Sequence, residues 1–97
     1  MTSPWSVVLT DQSLSDILEL DKTESILVAK ALEKLMEQPL LRGHSLKGNL
    51  NGFRSLVVGK GEIRIVYGVN DSQLLVEVIA IGHRHNDEVY IRASDRI

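Results

Sequence analysis

The stretch "FRSLVVGKGEIRIVYGVNDSQLLVEVIAIG", residues 53–82, does most to narrow the folds open to this chain. It holds three apolar runs separated by two turn signals, Gly59-Lys60-Gly61 and Asn70-Asp71. Glycine and asparagine tolerate the backbone of tight turns, so the three runs read as consecutive antiparallel strands. The third run, Leu74 to Ile81, is apolar on both faces except at Glu77, the pattern of a central strand covered on both sides. A three-residue loop at Gly59-Lys60-Gly61 sets Val58 opposite Glu62. Paired residues share a face, so Phe53, Ser55 and Val57 then join Ile63, Ile65 and Tyr67 on a face suited to helices. The other face brings Arg54 and Arg64 together.

Ahead of these strands the hydrophobic period differs. "WSVVLT" (5–10) alternates as a short strand. "DQSLSDILEL" then spaces Leu14, Ile17 and Leu18 as a helix, with Thr10 or Asp11 as its cap. "DKTESILVAKALEKLMEQ" is the clearest helix, with Val28, Ala31, Leu32, Leu35 and Met36 forming one apolar stripe. Asp21 and Glu24 have capping-box spacing at its start, and Pro39 closes it. "LRGHSLKGNLNG" is a loop. Ninety-seven residues are one domain, 1–97. The expected fold is α+β, an antiparallel sheet of about four strands with both helices on one face.

Composition excludes some chemistries. The chain has no cysteine, so disulfides and thiolate metal sites are absent, which suits a reducing compartment. The N-terminus lacks the basic start and apolar core of a signal peptide, and no run approaches the roughly 20 apolar residues of a membrane span. A cytoplasmic location is the expectation, with no membrane partner. The net charge of −2 hides an asymmetry: residues 1–41 carry −4, residues 42–67 carry +4 and residues 68–97 carry −2. A basic middle in an acidic chain marks a local anion site or an ordinary solvated surface.

The third strand runs into "AIGHRHNDEVY", residues 80–90. His83, Arg84, His85 and Tyr90 emerge from its end. Arg84 can approach Arg54 and Arg64, and converging guanidiniums without matching carboxylates suit a phosphate. A nearby tyrosine can stack on a base or donate a proton. His83 and His85 share strand parity, but Arg84 between them argues against a cation site. No metal or other cofactor is expected.

These residues carry a resemblance. Leu46-Lys47-Gly48, Phe53-Arg54, Gly59, Arg64-Ile65-Val66-Tyr67, His83-Arg84 and Val89-Tyr90 follow in the order and spacing of the RelE/ParE toxin superfamily. They resemble most its RelE-type ribosome-dependent mRNA interferases, and the preceding strand and helix pair extend the likeness over nearly the whole chain.

The resemblance implies the toxin of a type II toxin–antitoxin pair. It implies a metal-independent endoribonuclease that enters the ribosomal A site and cuts mRNA through attack of a 2′-hydroxyl on the adjacent phosphate. Carried over by position, Arg54, Arg64, Arg84 and Tyr90 are the catalytic candidates. Lys47, Lys60, His83 and His85 are the RNA-binding candidates. A lysine that serves as base in some members falls at or beside Leu56 here, which leaves the base to His83 or His85. The implied partners are a cognate antitoxin, mRNA and the ribosome, with "YIRASDRI" a mobile tail that the antitoxin displaces. The alternatives are a ParE-like toxin acting on DNA gyrase and a member that retains antitoxin binding alone.

Overall fold

A computed structural model describes residues 4–97. Strand β1 (Ser6–Leu9) leads into helices α1 (Asp11–Leu18) and α2 (Lys22–Leu35). A two-residue strand β2 (His44–Ser45) precedes β3 (Phe53–Val58), β4 (Ile63–Asn70) and β5 (Leu75–His83). Helix α3 (Glu88–Asp95) follows.

The local signals for the first two helices act as expected. The Thr10 side chain accepts the Ser13 amide at 3.1 Å and starts α1. Asp21 and Glu24 form a reciprocal capping box on α2. The chain leaves α2 through Gln38 at φ 52° and the buried Pro39. Val28, Ala31 and Leu35 of the apolar stripe are buried, while Met36 remains 38% exposed.

The sheet is larger than expected. It has five strands in the order β1-β5-β4-β3-β2. Strand β1 pairs parallel to β5 at Ser6↔Leu75 through Leu9↔Val78, so the sheet is mixed. The α1–α2 hairpin carries the chain from β1 across the sheet to β2 at the opposite edge, so β1 meets β5 only after the whole meander has formed. Strand β5 is the interior strand its composition predicts, with Glu77 exposed.

The β3–β4 register differs from the expected one. Val58 pairs with Ile63, so the turn takes four residues, Gly59 to Glu62, with Gly59 at φ 62° and Gly61 at φ 105°. One extra residue flips every β3 side chain to the other face. Leu56 and Val58 therefore join Ile63, Ile65 and Tyr67 against α2. Ser55, Val57 and Arg64 turn the other way. The change gives the helix side Arg54, Leu56 and Val58 where the three-residue loop would have given it Phe53, Ser55 and Val57, and it moves Phe53 into the core on the other side.

That other side is covered as well. A bulge between Val66 and Tyr67 leaves Ile79 extra on β5. Ile79, Ala80 and Val66 form a second core with Leu50 and with Val89 and Ala93 of α3. The tail "YIRASDRI" thus lies largely in helix α3. The sheet lies between α1–α2 on one side and α3 on the other.

One carboxylate joins the layers. Asp16, 2% exposed, accepts the Ile81 amide at 2.9 Å and Arg92 at 3.0 Å. Arg96 binds it through two contacts, at 2.7 and 2.9 Å. The same arginines donate to the carbonyls of Ile79 and Ile81. Strand β1 stops opposite Val78, and these side chains take over the β5 edge where its hydrogen bonds end.

Tyr67 anchors the loop before β2. Its ring is fully buried and its hydroxyl lies 3.0 Å from the Pro39 carbonyl and 2.9 Å from that of Arg42. Tyr67→Phe leaves the Pro39 carbonyl without this donor and is expected to cost about 1–3 kcal/mol, read as a lower unfolding midpoint. Burial raises the phenol above its ordinary value, against the pull of the Arg54 and Arg42 charges. Its contribution is therefore full below the unfolded phenol pKa, about 10, and declines as pH rises towards the folded value. Melting curves across that window should show an alkaline loss in the wild type that is smaller in Tyr67→Phe.

Candidate active site

The residues singled out in the sequence divide between the two sides of the sheet. Arg54 pairs with Tyr67 on the α2 side. Its guanidinium donates to the Arg42 carbonyl at 2.9 Å, the Gly43 carbonyl at 3.3 Å and Ser45 Oγ at 2.9 Å. The expected shared face for Arg54 and Arg64 is therefore overturned by the four-residue turn, and Arg54 ties down β2 and the loop before it. A glycine is required there, because Gly43 sits at φ 65° and an added Cβ would lie 2.4 Å from the Ser55 carbonyl oxygen.

His83 also lies on the α2 side, paired with Ile63. Its Nε2 is 3.0 Å from Glu24 Oε2. This hydrogen bond, with that of the Asp21 amide, holds the Glu24 carboxyl below the usual carboxylate range. Leu56 points into the same core, so the position beside the family's lysine contributes packing here.

Arg64 lies on the α3 side. It pairs with Val57 on β3 and with Gly82 on β5, one row along from Ser55↔Val66. Its guanidinium is half-buried, and Nη1 is the one buried side-chain polar atom among the described residues without a hydrogen-bond partner. Tyr90, on α3, packs against the Val66 cluster, and its hydroxyl meets Ser55 Oγ at 3.0 Å. The row beside Arg64 therefore carries a tyrosine hydroxyl.

Arg84 continues the β5 ladder past His83, donating its amide to the Glu62 carbonyl at 2.9 Å. It lies two residues beyond Gly82, the β5 partner of Arg64, where the backbone turns helical. An open cleft of about 330 Å³ is lined there by Glu62, Arg84, His85, Asn86 and Asp87. Among the described residues, neither Arg64 nor Arg84 has an ion-pair partner. Lys60 is exposed at the tip of the β3–β4 turn, and Lys47 is exposed before the Gly48–Leu50 turn. Arg42, part of the basic middle, is paired with Glu37 at 3.6 Å. The surface charge of the middle thus rests on Lys47, Lys60 and Arg64. No group of His, Asp and Glu among the described residues has the geometry to hold a metal ion.

Two features escaped the sequence reading. Ser55 is a lone small polar residue in an apolar strand, and its burial beside Tyr90 depends on the register. Asp16 with Arg92 and Arg96 spans 80 positions of sequence, and no local pattern links them.

Residues 7–88 match the family described as the ParE toxin of type II toxin–antitoxin systems, parDE. The chain belongs to this family. It is a toxin of the RelE/ParE superfamily. It is 31% identical over 93 residues to an Escherichia coli protein described as RelE-like toxin, covering 96% of this chain and 97% of that protein. It is 30% identical over 87 residues to the mRNA interferase toxin RelE of Escherichia coli K12, covering 90% of each. The fold is similar to that of a doubly substituted Escherichia coli toxin RelE in the free state, with TM-score 0.79 and 26% identity over 100% of this chain and 99% of that one. It is also similar to RelE bound to an antitoxin RelB peptide, with TM-score 0.73 and 26% identity over 97% and 98% of the two chains. Among the described residues no helix is long and apolar enough to cross a membrane.

Proposed function

We propose that this ParE-family toxin is a metal-independent endoribonuclease that cleaves mRNA in the ribosomal A site. The observation that carries the reading is Arg64: a half-buried guanidinium with a buried, unpartnered N–H, one strand row from the Ser55 that holds the Tyr90 hydroxyl. A buried donor left unpaired costs about 1–3 kcal/mol, which favours a shift of this half-buried guanidinium toward a phosphate oxygen.

The chemistry divides as follows. The substrate 2′-oxygen attacks the adjacent phosphorus while the bond to the 5′-oxygen breaks, leaving a 2′,3′-cyclic phosphate and a 5′-hydroxyl. Arg64 and Arg84 bear the negative charge that builds on the phosphorane oxygens. Tyr90 supplies the proton that the 5′-oxygen takes up. His85 takes the 2′-proton, since of the two histidines that follow Ile81 it is the one at the cleft, whereas His83 is held by Glu24. Lys47 and Lys60 steer the RNA backbone. Arg54 stays outside the reacting group because its donors are engaged by the loop.

Primer extension on mRNA translated in a reconstituted reaction tests this reading. Cuts within the A-site codon are expected from the wild type. The match to the ParE family favours a second reading, a toxin that acts on DNA gyrase. A wild type that makes no cuts but blocks gyrase-dependent supercoiling would sink the nuclease assignment and leave that one standing.

A further inference from the structure

The hydrogen bond between Ser55 and Tyr90 has a direction that burial decides. Ser55 is 4% exposed, and among the described residues the Tyr90 hydroxyl, at 3.0 Å, is its one side-chain partner. Either oxygen could donate. If Tyr90 donated, the Ser55 proton would be buried without an acceptor. If Ser55 donates, its proton is satisfied and the half-exposed Tyr90 keeps its own proton for solvent or substrate.

We infer that Ser55 is a positioning residue that holds the Tyr90 hydroxyl with its proton directed out of the core, an assignment that rests on the nuclease reading above. The Ser55 hydroxyl does not touch RNA. It fixes the Tyr90 oxygen within one row of Arg64. It also stabilises the charge that develops on that oxygen as its proton passes to the leaving 5′-oxygen. Backbone geometry restricts this role to position 55: the four-residue turn sends Ser55 to the α3 side and its neighbour Leu56 to the α2 side.

The test is a mutant cycle on the full chain, read by ribosome-dependent cleavage of a defined mRNA. For each protein the maximal cleavage rate and the half-saturating toxin concentration are measured separately, with melting curves to confirm folding. Ser55→Ala is expected to lower the maximal rate by about 10-fold, a fraction of the 10²–10⁴ available to a proton donor, with an unchanged half-saturating concentration. Ser55→Thr, which restores the hydroxyl on a residue that suits a strand, should recover most of that loss. In a Tyr90→Phe background, Ser55→Ala should cause no further loss. An unchanged rate in Ser55→Ala, or an equal loss with and without the Tyr90 hydroxyl, would overturn the inference while the wild type still cuts. A wild type that makes no cuts would instead overturn the nuclease reading together with it.

Discussion

Arg84→Ala is expected to lower the rate of mRNA cleavage by about 10²–10³, the loss seen when one donor to a developing oxyanion is removed, worth about 2.7–4 kcal/mol. Fold and antitoxin affinity should change little. The side chain is exposed and has no ion-pair partner among the described residues. Its structural tie is the amide that donates to Glu62, and alanine keeps that amide. Arg84→Lys sharpens the result, because it preserves the charge but not the planar fork. A lysine variant close to wild type would assign Arg84 a purely coulombic role, whereas a loss near that of alanine points to bidentate contact with phosphate. Primer extension on translated mRNA reads both, with a thermal melt as control. Cleavage by Arg84→Ala at the wild-type rate would remove Arg84 from the chemistry.

Asp16→Ala should have the largest effect on stability. It strips the carboxylate from Arg96 and Arg92 and leaves the Ile81 amide without its acceptor. Removing one partner of a buried ion pair costs about 3–5 kcal/mol, a large part of the 5–15 kcal/mol typical of a domain. At roughly 4–8 °C per kcal/mol for a chain of this size, the midpoint should fall by more than 10 °C. Asp16→Asn keeps one acceptor oxygen and should lose less. The defect should centre on α3 and the free edge of β5, so hydrogen exchange ought to rise first at Ile81 and along residues 88–95. A melt within two or three degrees of wild type would show that the arginines find other partners. Because α3 carries Tyr90, the loss of this clasp should also reduce cleavage.

Much of this molecule could be read locally. The capping box at Asp21 and Glu24, the apolar stripe of α2 and the three strands after residue 52 each act through neighbours a few positions away. The interior place of β5 followed from its two apolar faces. Local signals also located Arg64, Arg84 and Tyr90 in their segments. They did not reveal which candidates would share a surface. That depended on whether the β3–β4 turn holds three residues or four, and glycines at positions 59 and 61 permit both.

Short-range periodicity and ordered motifs were enough to specify the α+β class, the two leading helices, the meander and the family. Long-range packing set three further features. It chose the register that parts Arg54 from Arg64, because Leu56 and Val58 pack against α2 while Phe53 still packs in the second core. It placed β1 parallel to β5, a pairing between residues as far apart in the chain as Ser6 and Leu75 that no local pattern encodes. It turned the C-terminal tail into a helix over the second face, because Arg92 and Arg96 find a buried carboxylate at Asp16. In all three cases, interactions between residues far apart in the chain selected among arrangements that the local sequence left open.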